Sequence, residues 1–117
     1  MNILVCGDRS WSASNVIRDT ISIYDRENDV IYHQLESGAA TFGYALGKEM
    51  GFKTDVFTEI FDPETQQEPL KNIQLVLAFH NFIRNSKRTY FIIKECKALG
   101  IPYRIINSKG EVTDLLR

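Results

Sequence analysis

LVLAFHNFIRNSKRTYFIIKECKAL, residues Leu75–Leu99, is the stretch whose reading decides the fold. Its first five residues, Leu75 to Phe79, are uniformly apolar, as a strand buried on both faces requires. A polar loop, His80 to Asn85, follows. Apolar positions then recur at Thr89, Ile92, Ile93, Cys96 and Leu99, the spacing of one helix face. Ser86 is suited to cap that helix, and Gly100 with Pro102 to end it and start another strand. A strand that hands its chain through a loop to a helix N-terminus is how α/β proteins make anion sites. First-turn N–H groups and the helix dipole both favour a phosphate there. Lys87 and Arg88 fall in that first turn, where cations are disfavoured unless an anion joins them. The competing reading of the pair is a solvated helix end.

The same alternation extends in both directions. Asn2 to Cys6 reads as a first strand, followed by the loop Gly7–Ser12 and a helix capped by Ser12 or Ser14. That helix carries Ile17, Ile21 and Tyr24 on one face, with Val16 alongside, and runs to the polar Asp25–Asn28. Val30 to His33 is a brief strand, and the loop Gln34–Gly38 opens a second helix from about Ala39 to Met50. Its inward stripe is Ala39, Gly43, Leu46, Gly47 and Met50. Glycine inside a helix costs about 1 kcal/mol relative to alanine, so a close approach of helix to sheet is expected at Gly43 and Gly47. Lys53 to Phe57 forms a third strand. Asp62 to Glu68 is the most loop-like segment. Leu75–Phe79 is the fourth strand and Tyr103 to Ile106 the fifth. A turn at Lys109-Gly110 precedes an apolar end, Val112, Leu115 and Leu116, expected to dock on the rest. The predicted fold is a single Rossmann-like α/β domain over residues 1–117, doubly wound, with about five mainly parallel strands and helices on both faces.

Composition narrows the function classes. The 117 residues carry a net charge of −1, with no basic excess of the kind a general nucleic-acid binder shows. No apolar run approaches the length of a membrane span. The opening MNILVCG reads as a strand, since no charged residues precede its apolar ones as in a signal peptide. Cys6 and Cys96 make neither a disulfide framework nor a metal motif, and buried inert thiols in a reducing cytoplasm are expected. His33 and His80 are the two histidines. Neither has a second ligand at a useful spacing, so no metal site is expected and His33 is read as structural or exposed.

In sheets of this type ligands bind beyond the carboxyl ends of the strands, where the strand order reverses. A winding that starts in the middle makes the first and fourth strands neighbours at that reversal. The loop with Gly7, Asp8, Arg9 and Trp11 is then expected to face His80, Asn85, Ser86, Lys87, Arg88 and Thr89 across one crevice, with Gly38 beside them. Helix N–H groups, Arg9, Lys87 and Arg88 suit a phosphate; Asn85, Ser86 and Thr89 suit hydroxyls. Trp11 or Phe82 can stack a base, although a tryptophan near a strand end is more often a core residue.

Three stretches in this order resemble the SLOG superfamily. This is the Rossmann-like group that joins the DNA-uptake protein Smf/DprA to the LOG cytokinin-activating enzymes, and the likeness is to its small single-domain bacterial and phage branch. NILVCGDRSW is similar to the family's strand and Gly-x-Arg-x-Trp start. ESGAATFGYALGKEMG, Glu36–Gly51, stands in place of its glycine-rich GARGAD segment and helix. LVLAFHNFIRNSKRT with ALGIP resembles the branch form LAFH…NSKGT…AGIP, a variant of the PGGxGT phosphate loop. The resemblance implies a nucleotide-binding domain that senses or sequesters a nucleotide-derived small molecule, such as an ADP-ribose-type signal in phage–bacterial conflict. It also implies a homo-oligomer in the bacterial or host cytoplasm, to which exposed Phe42, Tyr44, Phe61 and Tyr90 would contribute.

The departures bear on chemistry. Arg88 replaces the glycine before the loop's threonine, limiting backbone approach to a phosphate while offering a forked contact. Ala40 replaces the last aspartate of GARGAD, and Ile92 stands where LOG enzymes carry their catalytic glutamate. Glu95, one turn on, is no assumed substitute. A phosphoribohydrolase or N-glycosidase would then have to draw on Asp8, Glu36 or His80. Asp8 has a competing role as a turn residue and Glu36 as a solvated charge near a helix start. Binding without turnover is therefore the leading expectation, with no cofactor. Nucleic-acid binding, from the likeness to DprA, would use Lys53, Arg84, Lys87 and Arg88 against backbone phosphates.

Overall fold

A computed structural model describes residues 1–57 and 69–113. The five predicted strands are present, and a sixth is added. β1 (Asn2–Gly7), β2 (Val30–His33), β3 (Lys53–Val56), β4 (Leu75–Phe79), β5 (Tyr103–Ile106) and β6 (Val112–Thr113) form one sheet in the order β3-β2-β1-β4-β5-β6. All pairs are parallel except β5–β6. The short antiparallel β6 was not foreseen: the turn at Lys109-Gly110 folds Val112 and Thr113 back onto Ile106 and Ile105. Leu115, Leu116, Phe61 and the segment Asp62–Glu68 lie outside the described residues.

Strand β1 sits at the centre, with Ile3 opposite Leu75 on one side and Ile31 on the other. Ile3 to Cys6 and Val76 to Phe79 are completely buried, so both central strands read as unbroken apolar runs. Alternation along them divides the core. Ile3, Val5, Leu77 and Phe79 pack with Val16, Ile17 and Ile21 of α1 (Ser14–Ile21) and Leu46 of α2 (Ala39–Glu49). Leu4, Cys6, Val76 and Ala78 point the other way, against Ile92, Ile93 and Cys96 of α3 (Lys87–Leu99). Two helices cover one face and one covers the other. Leu70 and Ile73, from the 3-10 turn Pro69–Asn72 and the residue after it, fill out the second face. Each such aliphatic side chain contributes about 1.5–3 kcal/mol on burial.

The first helix is shorter than its periodicity suggests. It ends at Ile21, and Tyr24 packs on the core from a turn instead of from the helix. Neither serine caps it: Ala13 takes the N-cap position, and Ser12 contributes its backbone carbonyl to Ser14 N–H at 2.9 Å. α3 behaves as predicted. Ser86 is its N-cap, accepting from Thr89 N–H, and Gly100 closes it in the left-handed conformation. Of its expected inner face, Leu99 alone is exposed. Among the described residues no helix is long and apolar enough to cross a membrane.

The two α2 glycines divide. A Cβ on Gly43 would stand 2.6 Å from Val5 Cγ1, whereas one on Gly47 would make ordinary contact with Thr54 and Ile31 at 3.4–3.5 Å. Close approach to the central strand explains Gly43 and leaves Gly47 merely tolerated. Gly43→Ala is therefore expected to destabilise by about 1–3 kcal/mol, overpacking outweighing the helix-propensity gain. Gly47→Ala is expected to stabilise by up to about 1 kcal/mol. Urea unfolding of both variants checks the pair; equal effects would contradict the packing account.

Candidate functional site

Because β1 and β4 are adjacent, the loops leaving their carboxyl ends meet. Together they line a cleft of about 400 Å³ bounded by Asp8, Arg9, Ser10, Glu36, His80, Asn85, Ser86, Lys87 and Arg88. Seven of these were expected from sequence. Glu36 was foreseen only as a possible acid–base group. Ser10 was missed, although it belongs to the predicted loop; no spacing distinguished it.

Four expected residues play other parts. Trp11 is 5% exposed, stands edge-on to Phe79 at 5.7 Å between ring centres, and donates Nε1–H to Ala13 O at 2.9 Å. It is a core residue and does not line the cleft. Gly7 and Gly38 bring main chains together. Both have positive φ, and a Cβ on either would fall within 2.1–2.3 Å of the Phe79 or Asp8 carbonyl oxygen. Thr89 is buried, its hydroxyl 3.0 Å from that of Ser86 and 3.4 Å from Gly7 O, which ties the start of α3 to the end of β1. These three build the floor. Phe82 is 68% exposed and is not among the residues that line the cleft.

The helix starts are treated differently. α2 is closed by main chain: Ala39 N–H donates to Asp8 O at 3.0 Å. α3 has a side-chain cap, Ser86, whose hydroxyl serves Thr89 N–H and whose carbonyl serves Tyr90 N–H. Its first turn carries Lys87 and Arg88 into the cleft lining, and no acidic residue lies there to offset them. Arg88 reaches instead across the cleft to Glu36, with which it forms an ion pair. The Glu36 side chain is only 7% exposed, so it is not the solvated charge that its position near a helix start suggested.

Asp8 does act as a turn residue, its Oδ1 accepting from Ser10 N–H at 2.8 Å, yet it also lines the cleft. His80 is buried, and its Nδ1 accepts from Phe82 N–H at 2.9 Å, which places the neutral ring's proton on Nε2. Burial pushes its pKa below the ordinary 6.5, with the Asp8 carboxylate opposing. Ile92 is buried against the sheet and faces the core. His33 is buried too, its ring 4.6 Å from that of Tyr44. Cys6 and Cys96 are buried free thiols, and burial pushes Cys96 up to about 12. Among the described residues, no three His, Cys, Asp or Glu side chains are grouped to hold a metal ion. The cations proposed for nucleic acid do not share a surface: Lys53 begins edge strand β3 at the amino end of the strands, while Arg84, Lys87 and Arg88 stand beyond the carboxyl ends.

One polar side chain in this region lacks what it needs. Gln34, directly after β2, is 2% exposed, and neither its amide nitrogen nor its oxygen has a hydrogen-bond partner among the described residues. Comparison with protein-family models, curated proteins and solved structures finds no match to the chain.

Two expectations follow from this geometry. His80 binds its proton less readily folded than unfolded, so its contribution is fully present above pH 6.5 and is lost as the pH falls below that value. Asp25 and Asp29 do not interfere. A backbone N–H, that of Glu27, holds Asp25 below its ordinary 3.8, and the N-terminal ammonium does the same for Asp29. The melting temperature should therefore fall as the pH drops below 6.5, and His80→Asn, whose Oδ1 can still accept from Phe82, should flatten that fall. Gln34→Leu, which removes an unpaired buried amide at similar volume, should raise stability by about 1–2 kcal/mol in urea unfolding.

Proposed function

We propose that this chain binds a phosphate-bearing, nucleotide-derived small molecule in the cleft at the carboxyl ends of β1 and β4. One observation carries the reading: the β1 loop and the start of α3 converge on the same cleft, which therefore combines a helix N-terminus with Arg9, Lys87 and Arg88. A helix start of this kind favours anions through its N–H groups and dipole. Asn85 and Ser86 offer partners for sugar hydroxyls, and exposed Phe82 a face for a base. The strand order, running from β1 outward to β3 and returning to β4, supports a doubly wound, Rossmann-like reading, in which ligands gather at this reversal. The resemblance to the SLOG superfamily points the same way, towards a sensor or sequestering protein, with self-association as a further element.

A hydrolytic reading draws on one further fact, that Asp8, Glu36 and His80 all line the cleft. Buried Ile92 counts against a LOG-type mechanism, and binding without turnover is the better-supported function.

The test is a thermal-shift panel of adenine nucleotides, ADP-ribose, cyclic ADP-ribose isomers, cyclic dinucleotides and nucleoside monophosphates, with chromatography of each mixture afterwards. A ligand that raises the melting temperature and is recovered intact is expected. Arg9→Ala and Lys87→Ala should each weaken its binding about tenfold, the loss of one charge-assisted contact, while leaving the unliganded melting temperature in place. Unchanged binding in both variants would place the ligand elsewhere, and release of free base would establish turnover.

A further inference from the structure

The anion-binding reading assigns Arg88 to the ligand, yet Arg88 already holds an anion, the carboxylate of Glu36. Glu36 belongs to the β2–α2 loop and Arg88 to the first turn of α3, so the pair spans the cleft that both line. The partners differ in setting: the Arg88 side chain is 56% exposed, whereas that of Glu36 is almost wholly covered. That covered carboxylate lies in a cleft whose other charged lining residues are Arg9, Lys87, Arg88 and Asp8, three cations to one anion.

We propose that Glu36 is a built-in competitor for the anion site, so that a ligand enters by displacing its carboxylate from Arg88. The proposal rests on the reading of the cleft as an anion site. It fixes the class of ligand group: a phosphoryl group, whose several oxygens and higher charge can satisfy Arg88, Lys87 and the helix start together. A neutral or weakly charged ligand would leave the ion pair in place. Displacement also depends on how the loop carrying Glu36 is held.

The neighbouring residues decide this. At one end the loop is fixed, since Gly38 packs directly on the main chain of Asp8 and Arg9. At the other end Gln34 is buried with both amide atoms unpaired, a desolvation cost that this arrangement leaves uncompensated. Between them Leu35 is exposed and makes no core contact that would hold the loop down. The loop is thus poorly satisfied at the Gln34 side chain, and besides the Glu36–Arg88 pair it is held by Ser37 Oγ, which donates to Arg9 O at 3.3 Å, and by Thr41 Oγ1, which donates to Glu36 O. Displacement of the carboxylate therefore asks for a swing of the Glu36 side chain while these main-chain contacts stay in place.

The experiment is titration calorimetry of inorganic phosphate into the full chain and its Glu36→Gln variant, with melting temperatures recorded alongside. Glu36→Gln is expected to bind phosphate at least about fivefold more tightly, and Arg88→Gln in the same background to remove that gain. Equal or weaker binding by Glu36→Gln, with nucleotide binding intact in the parent, would overturn the competitor role and leave the function standing. No phosphate binding by either protein would overturn both. A merely structural ion pair would lower the melting temperature of Glu36→Gln without tightening phosphate. Should that variant not fold, Glu36→Asp, which retracts the same charge by one methylene, reads the same competition with the same two outcomes.

Discussion

The main chain of Asp8 is the point on which the cleft end of this molecule depends. Its N–H donates to Phe79 O at 2.9 Å, extending the β1–β4 ladder by one rung, and its carbonyl accepts from both Trp11 at 3.1 Å and Ala39 at 3.0 Å. One residue thus ties strand β4, the first loop and the start of α2 together. These contacts are backbone to backbone, so the side chain is left to turn the loop and face the cleft. The arrangement demands glycine on two sides. At Gly7 a side chain would run into Phe79 O, and at Gly38 into Asp8 O, in conformations that other residues adopt only with strain.

This junction explains why the start of α2 is sealed by main chain, whereas the start of α3 lines the cleft. Orphan N–H groups at a helix start must find partners, and a carbonyl from the chain is as good as a phosphate oxygen. α2 has Asp8 O, drawn in by Gly38. α3 is reached through the loop His80–Ser86, which contains a 3-10 turn, Ile83–Asn85, whose buried Ile83 anchors it to the core. The same loop sets His80 beneath Phe82 N–H and brings Asn85 and Ser86 to the cleft. Thr89 then pins the helix to Gly7 O. The cleft lies beside this pinned contact, between the first loop and the start of α3.

Much of this was legible in the sequence, because it follows from periodicity and punctuation. Unbroken apolar runs identified β1 and β4, Ser86 and Gly100 bracketed α3, and the alternation of elements placed β1 beside β4. The misreadings fall where a local signal met a tertiary one. Trp11 has the composition of a base platform, but its neighbour across the sheet end is Phe79, and burying two rings together outweighs exposing one. Tyr24 continues a helical spacing that the chain abandons at Ile21. Two-residue β6 is too short to carry a period at all. Glu36 was ambiguous for a further reason: a polar residue in a short loop gives no sign of its surroundings, and its partner Arg88 stands on a helix more than fifty residues away.

Gln34 and Glu36 show what the cleft costs the fold. Stability alone would favour an apolar residue after β2 and a carboxylate in the first turn of α3, where the dipole welcomes it. The chain has the reverse: an amide buried without partners, cations at the helix start, and the compensating carboxylate on another loop. Positive charge gathered at the start of a helix is unfavourable until an anion arrives, and a carboxylate supplied from across a cleft is an anion that can leave. Local rules broken together in one place, while the caps, strands and core around them obey theirs, mark this end of the sheet as shaped by something other than stability.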